Sequence, residues 1–200
     1  MRLLWTVATV LVLDQATKII VRLNLAMAPR RSIDLIGDWL RFTYTENPGM
    51  AFGIMFGPTG LITAFSIIAT VLIVFYLLKV RDGYVPYCMS LAAILGGAVG
   101  NIIDRLFYGM IFGYASFFEG RVVDFIHFNI WNGIVPDAVP FIGGTYLALF
   151  PIFNVADIAI VGGVIGILVF QKQFHMKQLE FATARSHASS ATQMTSDGES

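Results

Sequence analysis

Charge is scarce in this sequence. Thirteen basic and thirteen acidic side chains among 200 residues cancel, and without a basic surplus there is no electrostatic footprint for nucleic acid. Cysteine is scarcer still. Cys88 stands alone, so it closes no internal disulfide and has no second thiol with which to hold a metal. The three histidines, His127, His175 and His187, are scattered, no H-E-x-x-H run is present, and Ser66, Ser90 and Ser116 lack a G-x-S-x-G setting. The reading therefore expects no metal and no cofactor, and sets thiol and serine protease chemistry aside.

What the chain has instead is hydrocarbon. Hydrophobic residues make up 56% of it and the mean hydropathy is +0.73, outside the range of soluble globular domains. A membrane core takes roughly 20 helical residues to cross, and four stretches are long enough: 3–23, 60–78, 87–107 and 151–171. The expected fold class is an all-α membrane protein of four transmembrane helices with a small extracytoplasmic β element. One span needs a check, because Met1 to Ala28 has the outline of a secretory signal, with Arg2, an apolar run and Ala26-Met27-Ala28. Asp14, Gln15 and Lys18 interrupt that run and Pro29 follows the supposed cut, so the segment is kept as a span. The unit is expected to cover residues 1–171, with outer loops at 24–59 and 108–150. Residues 172–200 turn polar and read as a disordered cytoplasmic tail.

Orientation follows the Lys and Arg in the flanks. Arg2, Lys79, Arg81, Lys172 and Lys177 crowd short segments on one side, while Arg30, Arg31, Arg41 and Arg121 are spread over two long loops. Density favours both termini in the cytoplasm. The long loops carry strand composition at 39–56, around a Pro48-Gly49 turn, and again at 120–131. Extended segments at the membrane surface can pair with each other or with water.

Ionisable groups inside spans are costly and count as functional candidates. Three sets occur: Asp14 and Lys18 at i,i+4; Asn101, Asp104 and Arg105 on one face, a turn beyond Gly97; and Asn154 with Asp157 at i,i+3. Each has a plain structural reading. Asp14 and Lys18 can neutralise each other across one turn, Arg105 can snorkel to headgroups, and Asp157 can simply cap a helix. The glycines of GGAVG and VGGVIG read as helix-packing positions. Asp124 changes the balance, because it is a carboxylate between Val122-Val123 and Phe125-Ile126. If it meets Asp157 at the membrane surface, the two share a proton, and one becomes a base and the other an acid. His127, three residues on, would face away from Asp124 on a strand.

At this point the blocks match a known pattern. DQATK at 14–18, NPGMAFG at 47–53, GGAVGNIIDR at 96–105, GRVVDFIHF at 120–128 and FPIFNVADIAI at 150–160 occur in order, and together the chain resembles the lipoprotein signal peptidases (signal peptidase II). The resemblance implies a bacterial inner-membrane aspartic endopeptidase with Asp124 and Asp157 as its catalytic dyad. It implies that Asn47, Gly49, Asn101, Arg105 and Asn154 line or support the site, helped by Asp14 and Lys18. The implied substrates are diacylglyceryl-modified prolipoproteins, cut before the lipidated cysteine near the outer face. The partners are those substrates and membrane lipids, with no nucleic acid and no obligate protein partner.

One stretch departs from the family pattern. Residues 129–147, with Trp131, Pro136, Pro140 and paired glycines, form an insertion between the two aspartates, and Tyr108 to Glu119 is also extended. A lid, an interfacial hairpin and a partner surface are all open readings. Two rival functions are also weighed. A proton-coupled transporter would string polar groups through the membrane depth, whereas here they gather at one face apart from Asp14 and Lys18. A non-catalytic assembly factor would keep its function without either carboxylate.

Overall fold

A computed structural model describes residues 1–51, 54–55, 57–130, 132–140, 143–144, 146–148 and 150–197, with the backbone alone at 50–51, 54–55, 132, 146–148 and 184–197. Four helices are long and apolar enough to cross a membrane: Arg2–Leu25, Thr59–Val80, Val85–Ile111 and Val155–Thr183. We label the helices α1 (Arg2–Leu25), α2 (Thr59–Val80), α3 (Val85–Ile103), α4 (Gly109–Ile111) and α5 (Val155–Asp197). A wide π turn over Asp104–Tyr108 joins α3 to the short α4.

The polarity of these helices is inside out. On α1 the buried residues are Asp14, Lys18, Val21 and Leu25, a single face at helical spacing. Leu4, Trp5 and Leu23 are exposed instead. In water such a helix would be unstable; in lipid the exposed apolar face is solvated and the polar one must find partners within the protein. α3 supplies them. It is the most enclosed of the four and packs against α1, α2 and α5. Two of its glycines read as packing positions have that role here, since a Cβ at Gly97 would lie 2.4 Å from the Ala156 carbonyl oxygen and one at Gly100 2.4 Å from Asp14 Oδ2.

The loops build the expected β element. Strands β1 (Ser32–Ile36), β2 (Leu40–Asn47) and β5 (Val122–Phe128) form an antiparallel sheet in the order β1-β2-β5. Its register sets Thr45 opposite Asp124, Glu46 opposite Val123 and Asn47 opposite Val122, past an irregularity between Phe42 and Thr45. The sheet rests on the bundle through a cluster of Val21, Leu25, Tyr44, Tyr108, Val123 and Phe125. A two-residue hairpin, β3 (Met50–Ala51) with β4 (Ile54–Met55), follows β2. The insertion folds as a second hairpin, β6 (Asn132–Ile134) with β7 (Tyr146–Ala148); Trp131 lies outside the described residues, as do Phe52 and Gly53 of the NPGMAFG block.

The tail departs from expectation. Where disorder is expected from residue 172, α5 continues without a break to Asp197. Two causes act together. The segment from 167 to 197 holds neither Gly nor Pro, and its Ala, Gln and Leu residues propagate a helix already nucleated in the membrane. Phe174 is also buried, stacked on Tyr87 at 4.2 Å between ring centroids, in a cluster with Leu77, Val80 and Leu91. Polar composition did not mark the end of the helix.

Candidate active site

The chain between Phe150 and Val155 joins sheet to bundle. Phe153 accepts hydrogen bonds from the Phe125 and Ile126 amides at 3.0 and 2.8 Å, and donates its own N–H to the Ile126 carbonyl at 3.1 Å. This bridge carries the start of α5 alongside β5, so that Asp157 and Asp124 come to face one cleft.

Asn154 is the N-cap of α5. Its Oδ1 accepts the Asp157 amide at 3.0 Å while Asp157 Oδ2 accepts the Asn154 amide at 3.2 Å, a reciprocal capping box. The plain reading of Asp157 as a cap is thus correct, but it uses only one carboxylate oxygen. The other, Oδ1, accepts Asn101 Nδ2 at 3.0 Å. With its Oδ1 engaged, Asn154 turns its Nδ2 outward, to Asp124 Oδ1 at 2.6 Å and Asn101 Oδ1 at 3.2 Å. A single carboxamide therefore touches both halves of the candidate pair.

The other amides are oriented by the same logic. Asn101 Oδ1 also accepts the Lys18 ammonium at 2.9 Å; an ammonium only donates, so the amide nitrogen must face Asp157. Asn47 Oδ1 accepts the Gly49 amide at 2.8 Å, which leaves Nδ2 for Asp124 Oδ2 at 3.0 Å. Gly49 sits at φ +112°, a conformation that suits glycine alone.

Behind this layer lies a fully buried charge cluster. Lys18 Nζ meets Asp14 Oδ2 at 2.9 Å and Asp104 Oδ2 at 2.8 Å, with none of the three side chains exposed. Asp14 Oδ1 caps α5 by accepting the Ala156 amide at 2.9 Å, and Asp104 Oδ2 accepts the Val123 amide of β5 at 3.2 Å. Mutual neutralisation of Asp14 and Lys18 across one turn is correct but incomplete, because Asp104 is the second counter-ion. Gln15 closes the cluster. Its Nε2 donates to Asp104 Oδ1 at 2.9 Å and to the Gly100 carbonyl at 3.1 Å, and its Oε1 accepts the Tyr108 hydroxyl at 3.1 Å. Gln15 was legible only as an interruption of an apolar run. Arg105 is half-buried, with its Nε enclosed, and lies within electrostatic reach of Asp104, Asp124 and Asp157.

Every residue proposed from the sequence for the site, namely Asp14, Lys18, Asn47, Gly49, Asn101, Arg105, Asp124, Asn154 and Asp157, belongs to this one connected region. Burial pushes the Asp124 carboxyl up to about 7 and the Asp157 charge adds to the rise, against bonds from Asn47 and Asn154 and the charge of Lys18. The two aspartates and Asn47 open onto a cleft of about 680 Å³ whose other walls are apolar, among them Phe150, Ile158 and Ile165. Among the described residues no cluster of His, Cys, Asp and Glu suited to a metal occurs.

A family model for signal peptidase (SPase) II matches residues 6–173. The chain is 41% identical over 179 residues to the lipoprotein signal peptidase of Amoebophilus asiaticus, covering 84% of this chain and 75% of that one. It is 35% identical over 182 residues to that of Porphyromonas gingivalis, covering 82% and 79%, and 36% identical over 161 residues to one from Chlorobium phaeobacteroides, covering 80% and 84%. Two solved structures of a bacterial membrane enzyme, determined by the in meso method, superpose with TM-scores of 0.61 and 0.59. Both are 28% identical, and they cover 86% and 84% of this chain and 88% and 90% of theirs. With the motifs, the bundle and the relatives in agreement over the same residues, the chain belongs to the signal peptidase II family and is a membrane-embedded protease.

Proposed function

We propose that Asp124 and Asp157 are the catalytic pair, and that the chain uses them to release the signal peptide from diacylglyceryl-modified prolipoproteins by cutting before the lipidated cysteine. The observation that carries this reading is Asn154, whose one amide binds Asp124 while its backbone and Oδ1 bind Asp157.

The roles divide by environment. Asp157 accepts a backbone N–H and the Asn101 amide at the N-terminal end of a long helix, which suits it to the acceptor's part in the pair. Asp124, raised to about 7 by burial, holds its proton below about pH 7. Asp157 then removes a proton from water as the oxygen attacks the scissile carbonyl carbon, and Asp124 protonates the developing oxyanion. On collapse, the proton on Asp157 passes to the leaving amide nitrogen, and the hydroxyl returns one to Asp124. The apolar walls around Phe150, Ile158 and Ile165 suit acyl chains and the hydrophobic signal segment.

The peptidase unit is residues 1–171, set in the bacterial inner membrane with both termini cytoplasmic and the sheet and cleft at the outer face. The concentration of Arg2, Lys79, Arg81, Lys172 and Lys177 at one end supports that orientation.

The test is cleavage of a lipid-modified prolipoprotein by the purified protein in detergent, beside Asp124→Asn and Asp157→Asn. Both variants should fold and lose activity by at least about a hundredfold, the lower end of what one acid–base group supplies. Near-full activity in either removes that residue from the chemistry.

A further inference from the structure

At the rim of the site, away from the buried Lys18 cluster, lies a second charged assembly that the mechanism does not use. Arg22, in the last turn of α1, donates through Nη1 to Glu46 Oε1 at 2.7 Å and also bonds the Tyr44 hydroxyl. The Tyr44 hydroxyl donates to the same Glu46 oxygen at 2.5 Å. Arg121 approaches the other oxygen, Oε2, at 3.5 Å. The Arg22 guanidinium lies 3.7 Å above the Phe112 ring, and the Arg121 amide donates to the Tyr114 hydroxyl at 2.9 Å. Three parts of the chain converge on one carboxylate: the end of α1, the strand β2, and the segment from Phe112 to Arg121.

The position of that carboxylate is what matters. Glu46 pairs with Val123, and its neighbour Asn47 pairs with Val122, so the clamp grips β2 one residue before the amide that bonds Asp124 at 3.0 Å. Beyond Asn47 the chain turns at Pro48-Gly49 into the short β3–β4 hairpin. Glu46 and Arg22 are only 21% and 15% exposed, so their pairing is weakly screened. Burial alone would raise the Glu46 carboxyl, but the bonds from Tyr44 and Arg22 and the charges of Arg22 and Arg121 outweigh it and hold it below the usual carboxylate range. It is a fixed anion at working pH.

We propose that Glu46, held by Arg22, Tyr44 and Arg121, is a positioning residue that keeps the Asn47 amide on Asp124. The inference rests on Asp124 being half of the catalytic pair. The groups facing Asp124 are Asp157 on α5, Lys18 on α1, Arg105 after α3 and the amides of Asn47 and Asn154. The Glu46 carboxylate is turned to Arg22, Tyr44 and Arg121 instead of to Asp124, so its removal works through geometry. Loosening Asn47 withdraws a donor that favours the ionised form of Asp124, and the pKa of the acid rises.

The experiment compares wild type, Glu46→Leu, Asn47→Ala and the double variant, with kcat, KM and a pH profile for each. Glu46→Leu should lower kcat by between about 10- and 100-fold, the range of a displaced catalytic geometry, leave KM nearly unchanged, and move the alkaline limb upward. In the Asn47→Ala background Glu46→Leu should add little, because its route to Asp124 is already cut. Wild-type kcat and pH profile in Glu46→Leu, or full additivity with Asn47→Ala, overturns the proposal. If Glu46→Leu does not fold, Glu46→Gln keeps the Oε1 acceptor and loses the charge; it should show a smaller kcat loss with a smaller upward shift, and an unmoved limb overturns the proposal as well. Failure of wild type to cleave, or activity in Asp124→Asn, would instead overturn the assignment of the pair.

Discussion

Replacing Lys18 with methionine removes the cation shared by Asp14 and Asp104 while nearly preserving its volume. All three side chains are fully buried, so no solvent stands ready to screen the two carboxylates left behind. Breaking a buried ion pair by deleting one partner costs about 3–5 kcal/mol. At roughly 2–4 °C per kcal/mol for a chain of this size, the melting temperature in detergent should fall by about 6–20 °C. Thermal unfolding at matched scan rate and detergent concentration measures it. The triple variant Asp14→Asn, Lys18→Met, Asp104→Asn removes every charge and should recover most of that loss. Cleavage should not recover with it, since the Asn101 amide has lost the ammonium that orients it toward Asp157. A Lys18→Met protein melting within about 2 °C of wild type would refute the claim that this charge is locked in a closed cluster.

Two further outcomes follow from the same geometry. Asp124 has a folded pKa near 7 against about 3.9 unfolded, so the folded state binds more protons between those values and stability contributed by this group falls as pH rises through that window. Asp124→Asn should therefore melt higher than wild type at pH 8 and no higher at pH 4, measured by thermal scans across pH, while wild-type cleavage declines above about pH 7; a pH-independent difference in melting would count against the raised pKa. Phe174→Ala removes the ring stacked on Tyr87 and should cost about 3–5 kcal/mol and admit limited proteolysis beyond residue 172, where the wild-type helix resists; equal cleavage rates would mean that the ring does not anchor the extension.

The fold class was legible because lipid imposes length and apolarity on each span, and because charges interrupting an apolar run must be partnered. That logic selected Asp14, Lys18, Asn101, Asp104, Arg105, Asn154 and Asp157 from composition and spacing and raised Asp124 as a partner for Asp157, and the resemblance added Asn47, Gly49 and the catalytic assignment of that pair. Partners distant in sequence stayed hidden. Nothing in DQATK says that Lys18 shares its charge with Asp104, 86 positions on, nor that Glu46 would be met by Arg22. The Phe153 bridge was equally invisible, since it is made by backbone atoms common to every residue. The helical tail was misjudged because helix propagation depends on what precedes a segment as well as on its own polarity.

The bridge between Ile126 and Phe153 also bears on how this enzyme can vary. Its two ends are further fastened by the stacking of Phe128 on Phe153 at 5.8 Å and on Trp39 at 6.0 Å. The segment from 129 to 151 lies in the chain between Phe128 and Phe153, the two stacked ends of that fastening. The segment can lengthen, shorten or be exchanged wholesale while both aspartates keep their places, so the separation of the pair along the chain is uncoupled from its separation in space. A lineage is free to remodel the approach to the cleft without renegotiating the chemistry beneath it.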